Sequence, residues 1–363
     1  MLVVVNSIVS EFSVVDLFCG IGGLTHGFVK EGFNVTAGID FDNSCKYAFE
    51  KNNKTQFLHR DIGTLSADEL AKLFGNKRKI LIGCAPCQPY SIFNRKKEVA
   101  IKSDSDPRWK LLYSFSALIN ETKPEVISME NVPLLKNYRN GEVFNDFVKS
   151  LEDMGYYITH NIVNAQDYGV PQRRKRLVLL GSLHSKIEMI PPTHTKGNYV
   201  TVRQAIGALP SIKDGEVHHK DGLHRARKLT DLTKRRIQAT KEGGSWKDWD
   251  EELKLTCHKK KGGEVYRSVY GRMQWDDVAP TMTTYCIGLN NGRFGHPEQD
   301  RAISLREAAL IQSFPKSYNL IDKESVFSAG KIAKQIGNAV PVLLGKAIAQ
   351  SIKLHLNSIQ KNG

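Results

Sequence analysis

The 363-residue chain has few cysteines, six in all, and they are scattered along its length. A sparse set of this kind does not look like a disulfide framework, which indicates free thiols and a reducing, cytoplasmic setting. Long apolar runs are also lacking, so we expect no membrane partner. The apolar start at residues 1–5 has no basic leader and is predicted to be a strand rather than a signal peptide. These deficits predict a soluble globular protein, long enough for two domains.

Acidic residues are in deficit as well. The chain has 52 lysines and arginines against 38 aspartates and glutamates, for a net charge of +14. Half of this excess lies in residues 182–271, which contain 18 basic residues, 11 acidic residues and six of the eleven histidines. A solvated basic face would have the same composition, but concentration in one non-repetitive region favours a surface that binds nucleic acid.

The first 181 residues alternate short apolar or β-branched runs with amphipathic stretches, the pattern of βαβ units in a parallel sheet. Seven runs are predicted to be strands: 13–18, 34–39, 55–58, 79–82, 125–129, 157–163 and 176–180. After Gly181 the chain is rich in glycine and proline, which predicts a second, smaller, loop-rich domain. Helical patterns return at 304–311 and 342–357. The predicted fold class is α/β with a Rossmann-like sheet.

Three successive strand ends carry residues that suit a nucleotide. The first strand runs into the glycine-rich residues 16–23, whose backbone amides could approach a ligand at a helix N-terminus. The second ends at Asp40, where a carboxylate in such folds accepts hydrogen bonds from ribose hydroxyls, and the third ends at Asp61. Either aspartate alone would more often be a helix cap. Together the three features predict an adenosine-containing cofactor.

A cysteine flanked by prolines follows the fourth strand, in Pro86-Cys87-Gln88. Proline locks φ, so the Cys87 side chain is held in one direction at the ligand-facing end of a strand. Cys84 and Cys87 also match a C-x-x-C redox or metal-binding pair, and the pattern alone leaves both interpretations open. Glu130 ends the fifth strand. A thiol and a carboxyl on adjacent strand ends are what nucleophilic addition to a pyrimidine requires, although a salt bridge to an arginine would also explain a buried Glu130.

Polar and basic residues alternate just before the seventh strand. In an extended segment Gln172, Arg174 and Arg176 point to one face, and Arg173 and Lys175 point to the other. The first face could serve a site at the strand ends, and the second could meet solvent or phosphate.

Five motifs occur in the order and approximate spacing of the bacterial DNA cytosine-C5 methyltransferases, which the chain closely resembles over nearly its whole length. They are residues 16–23, 86–88, 130–132, the alternation 172–176, and 335–341. Residues 271–284 also resemble the family segment that organises the recognition domain. The resemblance implies a catalytic and cofactor-binding domain at 1–181, a target-recognition domain at 182–270 and a C-terminal segment at 271–363 that returns to the catalytic domain. It also disfavours the C-x-x-C interpretation, because the family motif uses only the cysteine after Pro86.

The resemblance implies roles for individual residues. Cys87 matches the nucleophile, Glu130 the group at ring nitrogen 3, and Arg174 and Arg176 the arginines that hold the base and the carboxylate. Positions that match contacts to S-adenosylmethionine are Phe18, Gly20, Gly22, Asp40, Phe41, Asp61, Ile62, Pro86, Asn338 and Val340. Substrate-binding positions are Gln88, Ser91 and Gln172, and Ser91 opens a segment, 91–109, that resembles the family's mobile DNA-closing loop. No metal site is expected, since Cys257-His258 and His218-His219 lack paired ligand spacing.

The function that this resemblance implies is transfer of a methyl group from S-adenosylmethionine to carbon 5 of a cytosine in a specific double-stranded DNA sequence. The base would leave the duplex and form a covalent adduct with Cys87. Double-stranded DNA is the implied partner, bound by a monomer, and a restriction endonuclease in the same cell is a candidate partner. The expected location is the cytoplasm, in association with the nucleoid.

Three alternatives stay open on the sequence. A tRNA cytosine-C5 methyltransferase shares the fold and the motifs, but the variable region of roughly ninety residues suits a DNA groove better. A catalytically silent DNA-binding protein of the same fold would have no need for Cys87 and Glu130. A Rossmann oxidoreductase would explain the glycine-rich loop but would leave Pro86-Cys87-Gln88 without a purpose.

Overall fold

The computed structural model describes residues 8–90, 106–261, 263 and 268–362, which form two compact units. The first unit comprises residues up to 164, residues 175–192 and residues from 342 onwards. The second unit comprises residues 165–174 and 193–341. The boundaries between the two units therefore differ from the domain boundaries predicted from the sequence. The assignment of 1–181, 182–270 and 271–363 to separate functions stays a prediction.

A seven-stranded sheet runs through the first unit in the order β3-β2-β1-β4-β5-β7-β6. Its strands are β1 (Phe12–Leu17), β2 (Asn34–Asp40), β3 (Gln56–His59), β4 (Arg78–Gly83), β5 (Val126–Asn131), β6 (Tyr157–Asn164) and β7 (Lys175–Ser182). The five strands from β3 to β5 in this order run parallel to one another. All seven predicted strands are confirmed. Two of them, β1 and β5, are buried on both faces, and short apolar runs mark such strands in a sequence.

The expectation of a parallel sheet is wrong at β7, which is antiparallel to both β5 and β6. β6 ends at Asn164 and β7 begins at Lys175, so the connection is too short for the crossover that a parallel pair requires. β7 therefore pairs beside β6 along its whole length, from Asn164 opposite Lys175 to Tyr157 opposite Ser182.

The helices of both units are short except for the last one. In chain order they are α1 (Gly23–Lys30), α2 (Lys46–Asn53), α3 (Ala67–Phe74), α4 (Leu111–Thr122), α5 (Glu142–Asp153), α6 (Val202–Ile206), α7 (Asp231–Gln238), α8 (Thr256–Lys259), α9 (Leu305–Ile311), α10 (Ala329–Asn338) and α11 (Val342–Asn362). The two helices predicted at 304–311 and 342–357 are α9, capped by Ser304, and α11, which continues to Asn362. None of the described helices is long and apolar enough to cross a membrane.

Close packing of α11 on α1 joins the two ends of the chain within the first unit. A Cβ atom on Gly27 would lie 2.4 Å from the backbone of Gly345 and Lys346, so the helices approach to a distance that only glycine allows. The Lys353 ammonium also donates to the Glu31 carbonyl at the end of α1, at 2.9 Å. The last motif of the sequence is thereby followed by a helix that completes the first unit.

Buried arginines connect the loops of the second unit. The described residues of this unit form isolated β-bridges but no β-strand. The Arg301 guanidinium is fully buried and forms two hydrogen bonds of 2.7 Å with the Glu307 carboxylate. Arg272 donates to the carbonyls of Ile237 and Thr240 at 2.8 and 2.7 Å. Charge-assisted hydrogen bonds of this kind are stronger than neutral ones. They connect segments of a unit that has no extended sheet among its described residues.

Candidate active site

The glycine-rich segment forms a tight turn between β1 and α1. Phe18, Gly20 and Gly22 have positive φ angles of 59°, 51° and 83°. This left-handed backbone is easy for glycine and costs free energy at Phe18. The Cys19 N–H donates to the Ile39 carbonyl on β2 at 3.1 Å, which fixes the turn against the neighbouring strand. The turn thus presents backbone at the carboxyl end of the sheet, where ligands bind in open α/β folds.

Asp40, the last residue of β2, is hydrogen-bonded to the glycine-rich turn. Its Oδ2 atom accepts the Gly20 N–H and its Oδ1 atom accepts the Asp42 N–H, both at 2.8 Å. Burial raises the pKa of the Asp40 carboxyl above its ordinary value, against the opposing effect of these hydrogen bonds. Each carboxylate oxygen has a further lone pair, so Asp40 can still accept hydrogen bonds from hydroxyl groups of a ligand.

The other predicted cofactor residues of the first unit follow β2 and β3. The Phe41 side chain is 72% exposed, which leaves an aromatic ring open to a ligand. Asp61 is exposed and its Oδ1 atom accepts the Gly63 N–H at 2.8 Å, whereas Ile62 is buried. Phe41 follows Asp40 directly. Asp61 lies two residues after His59, which pairs with Asp40 in the sheet. An exposed ring and an exposed carboxylate suit a planar, amine-bearing group such as adenine.

Asp16 is a fully buried carboxyl in β1, next to the turn. Its Oδ2 atom accepts the Thr25 hydroxyl at 2.5 Å, and its Oδ1 atom has no hydrogen-bond partner among the described residues. Burial raises the pKa of Asp16 from 3.8 to about 7, and the nearby charge of Asp40 acts in the same direction. The charge of Asp16 therefore changes near neutral pH.

Cys87 lies in the turn that follows β4, and its side chain is partly buried. Asn131 at the end of β5 donates from Nδ2 to the Ala85 carbonyl at 3.0 Å. The Tyr90 N–H donates to the Cys87 carbonyl at 3.0 Å and closes the short helical turn that begins at Gln88. These bonds fix the backbone on both sides of Cys87.

The structure describes two of the predicted site residues near Cys87, Pro86 and Gln88, but not Ser91. Pro86 and Gln88 are partly buried beside Cys87. Ser91 lies outside the described residues, as does most of the predicted loop 91–109, and its role stays a prediction.

Glu130 is 2% exposed and is contacted at both carboxylate oxygens. Its Oε1 atom lies 2.8 Å from Arg176 Nε, and its Oε2 atom lies 2.8 Å from Cys84 Sγ. Burial raises the pKa of the Cys84 thiol well above its ordinary value, and the charge of Glu130 raises it further. Cys84 is therefore a neutral thiol that donates to Glu130. The arginine salt bridge considered from the sequence exists, and its arginine is one of the predicted site residues.

Gln172 and Arg174 belong to the second unit, where they join backbone segments. The fully buried Gln172 donates to the Gln312 side chain at 2.5 Å and accepts the Met282 N–H at 2.7 Å. Arg174 donates to the carbonyls of Met282 and Gly337 at 2.9 and 3.0 Å. These contacts organise the unit from within. The predicted roles of the two residues toward substrate stay predictions.

The motif at residues 335–341 covers the end of α10 and the segment after it. Asn338 is exposed, and Val340 is buried. A Cβ atom on Gly337 would lie 2.2 Å from the Thr283 carbonyl oxygen, so this contact between α10 and the preceding loop requires glycine. The cofactor role predicted for Asn338 and Val340 stays a prediction.

Two residues that hold the site, Cys84 and Asn131, lie in motifs noted from the sequence but were given no role in the site. Cys84 contacts Glu130, and Asn131 fastens the cysteine turn. The signal for the first lies in the strand register, because Gly83 of β4 pairs with Met129 of β5. The residues that follow each of them, Cys84 and Glu130, are therefore neighbours on adjacent parallel strands.

Metal-ligand geometry is absent from the part of the chain that the structure describes, where no group of three or more His, Cys, Asp or Glu side chains could hold an ion. Cys257 is exposed, and the His258 ring stacks on Trp246 with 4.2 Å between centroids. The rings of His218 and His219 lie 4.6 Å apart. The four side chains do not form one cluster.

A sheet with a glycine-rich turn, an acidic second strand end and a cysteine after β4 is the arrangement of an α/β enzyme, and its strand ends carry residues that suit a nucleotide-type cofactor. The sequence matches the family described as C-5 cytosine-specific DNA methylase over residues 12–354. It is 53% identical over 350 residues to the Type II methylase M.HgiDII of Herpetosiphon aurantiacus, covering 96% of this chain and 97% of that protein. It is 31% identical over 357 residues to the Type II methyltransferase M1.HphI of Haemophilus parahaemolyticus, covering 96% and 88%. The chain belongs to the C-5 cytosine-specific DNA methylase family, as its motifs predicted.

Solved structures share the fold. One described as a DNA modification methyltransferase encoded within an E. coli prophage superposes with a TM-score of 0.72 at 22% identity, covering 95% of this chain and 99% of that one. The Dnmt2 methyltransferase of S. pombe superposes with a TM-score of 0.58 at 18% identity, covering 96% and 99%. The predicted α/β methyltransferase fold is confirmed.

Proposed function

We propose that this enzyme transfers a methyl group from S-adenosylmethionine to carbon 5 of a cytosine in a specific double-stranded DNA sequence, with Cys87 as the nucleophile. Membership of the DNA cytosine-C5 methylase family supports the reaction class. One observation carries the assignment of residues: the turn that bears Cys87 is fastened to the strand that bears the buried carboxyl of Glu130.

The first unit fits the proposed cofactor. The turn at Gly20 and Gly22 allows close approach of a ligand to backbone, and Asp40 can accept hydrogen bonds from ribose hydroxyls. The exposed ring of Phe41 offers a stacking surface for adenine, and the exposed carboxylate of Asp61 suits the adenine amine. S-adenosylmethionine, when bound, supplies the activated methyl group.

Cys87 begins the proposed reaction as a thiolate that adds to carbon 6 of the cytosine ring. The new C–S bond forms as the carbon 5–carbon 6 double bond gives up its electron pair, and Glu130 holds a proton at ring nitrogen 3 to offset the charge. Arg176, 2.8 Å from Glu130 Oε1, keeps the carboxyl group in place. Carbon 5 becomes nucleophilic in this adduct and would take the methyl group as the S–CH3 bond of the sulfonium breaks, its electron pair remaining on sulfur in the thioether product.

The reaction ends when a base removes the proton from carbon 5. The electron pair of that C–H bond restores the double bond, the C–S bond breaks, and Cys87 leaves as a thiolate. The cytosine must leave the base stack to reach Cys87, because carbon 6 is enclosed in a duplex. No step in this scheme calls on a metal ion.

The proposed partners follow from the same chemistry. Double-stranded DNA is the substrate, and the basic residues of 182–270 are suited to its phosphates. The relatives are named as Type II methylases, which supports a restriction endonuclease in the same cell as a functional partner. We propose that the enzyme acts as a monomer in the cytoplasm, at the nucleoid.

Methyl transfer from isotopically labelled S-adenosylmethionine tests this function. The purified protein should label duplex DNA at carbon 5 of one cytosine in a fixed sequence, as read by sequencing of methylated cytosines, and should not label tRNA. Cys87→Ser should abolish transfer, whereas Cys84→Ser should keep measurable activity. Label in tRNA alone would reassign the substrate, and equal loss in both variants would favour a paired-cysteine mechanism.

A further inference from the structure

The contact between Cys84 and Glu130 is built into the strand register of the first unit. Gly83, the last residue of β4, has a close backbone neighbour, since a Cβ atom there would lie 3.0 Å from the Leu17 carbonyl oxygen. The Cys84 N–H donates to that same Leu17 carbonyl at 3.2 Å. The backbone of Cys84 is thereby fixed against β1, while its Sγ atom lies 2.8 Å from Glu130 Oε2.

The chemistry of the pair fixes the direction of its hydrogen bond. A carboxylate can only accept, and the Cys84 thiol keeps its proton because burial and the charge of Glu130 both raise its pKa. Arg176 on β7 contacts Glu130 Oε1, and Cys84 after β4 contacts Oε2. The other ionisable group near Cys84 is Cys87, whose charge would also raise the pKa of the Cys84 thiol.

We propose that Cys84 is a positioning residue for Glu130, whose thiol donates to Oε2 and, with Arg176 on Oε1, fixes the orientation and protonation of the carboxyl that faces the target base. The family resemblance gives Cys84 no role, since its motif uses only the cysteine after Pro86. The effect of Cys84 on methyl transfer rests on the proposed role of Glu130 in the reaction. The contact itself can be tested without methyl transfer.

Removal of the donor should alter the pH dependence of the reaction. A hydrogen bond to a carboxylate favours its ionised form, so in Cys84→Ala the limb of the pH–kcat profile that depends on this contact should move to higher pH. We expect kcat to fall roughly three- to tenfold, with the KM for S-adenosylmethionine nearly unchanged. Cys84→Ser keeps a donor at the same place and should restore most of kcat and the original limb.

Cys45→Ala is the matched control. It removes a different thiol of the first unit, a buried one at the turn before α2, and should leave the pH limb in place even if it lowers the melting temperature. An unchanged limb in Cys84→Ala, or a loss of kcat that Cys84→Ser does not restore, would show that Cys84 only fills space and would overturn the proposal.

The infrared S–H stretching band tests the contact in the resting enzyme. The band of Cys84 is identified as the one lost in Cys84→Ser. In Glu130→Gln the acceptor loses its charge, so this band should move to higher frequency. A band that stays in place would mean that the thiol does not donate to Glu130. Because this measurement needs no turnover, its failure is distinguishable from failure of the proposed methyl transfer.

Discussion

Asp16 and Glu130 are both buried carboxyl groups in central strands of one sheet, and they differ in their partners. Glu130 has the Arg176 guanidinium at 2.8 Å. Asp16 has the Thr25 hydroxyl at 2.5 Å and the like charge of Asp40 nearby. A positive partner offsets the cost of burying a charge, whereas a hydroxyl offsets little of it. The two buried carboxyl groups thus differ in whether a positively charged partner offsets their burial.

The difference predicts that Asp16 makes the protein less stable as pH rises. Its pKa is raised from 3.8 to about 7, so between these values the folded state holds a proton that the unfolded state has released. This stabilising contribution is fully present below pH 3.8 and is lost as pH rises through about 7. Asp16→Asn keeps an acceptor for Thr25 and does not titrate. It should reduce the fall in the free energy of unfolding between pH 5 and 8 by about 2 to 3 kcal/mol.

Urea unfolding at both pH values measures this effect. Asp153→Asn is the control, because its exposed carboxylate pairs with the exposed Lys149 and should contribute little. If Asp16→Asn kept the pH dependence of the wild type, Asp16 would be ionised in the folded protein and our description of its burial would be wrong.

Two glycines of the helix α10, Gly330 and Gly337, differ in how closely other atoms pack against them. A Cβ atom on Gly337 would lie 2.2 Å from the Thr283 carbonyl oxygen, while one on Gly330 would have nothing within 4 Å. Gly337→Ala should therefore lower the free energy of unfolding by about 1 to 3 kcal/mol or more, through a forced backbone shift. Gly330→Ala should be neutral or stabilising by up to about 1 kcal/mol. Denaturant midpoints of the two variants compare them directly, and equal effects would contradict the packing seen at Gly337.

The strands that could be predicted from the sequence are those whose burial requires a run of apolar residues. The apolar runs that became β1 and β4 stand out because central strands are covered on both faces. The direction of β7 was not predicted, although the short interval from Asn164 to Lys175 carried that information. The partners of Arg174 could not be predicted, since the Gly337 carbonyl lies 163 residues away and only the folded loops bring it there.

Separate parts of the chain are expected to bind the cofactor and to read the DNA. If residues 182–269 read the DNA, their replacement by the equivalent region of a relative should change the methylated sequence. The affinity for S-adenosylmethionine should stay nearly unaltered, because Gly20, Asp40 and the other proposed cofactor residues lie outside that segment. Sequencing of methylated cytosines and a binding titration give the two results. A hybrid enzyme that kept the original target would place recognition elsewhere.

Covalent capture by a fluorinated target base tests whether Cys87 is the nucleophile. Fluorine at carbon 5 cannot be removed as the proton is, so DNA with 5-fluorocytosine at the target should trap the enzyme after methyl transfer. We expect a complex that survives denaturation, with the mass of one protein plus one DNA strand and with the link mapped to Cys87. Cys84→Ser should still form it, and Cys87→Ser should not. Active enzyme that formed no such complex, or a link at another residue, would contradict the addition and elimination through Cys87.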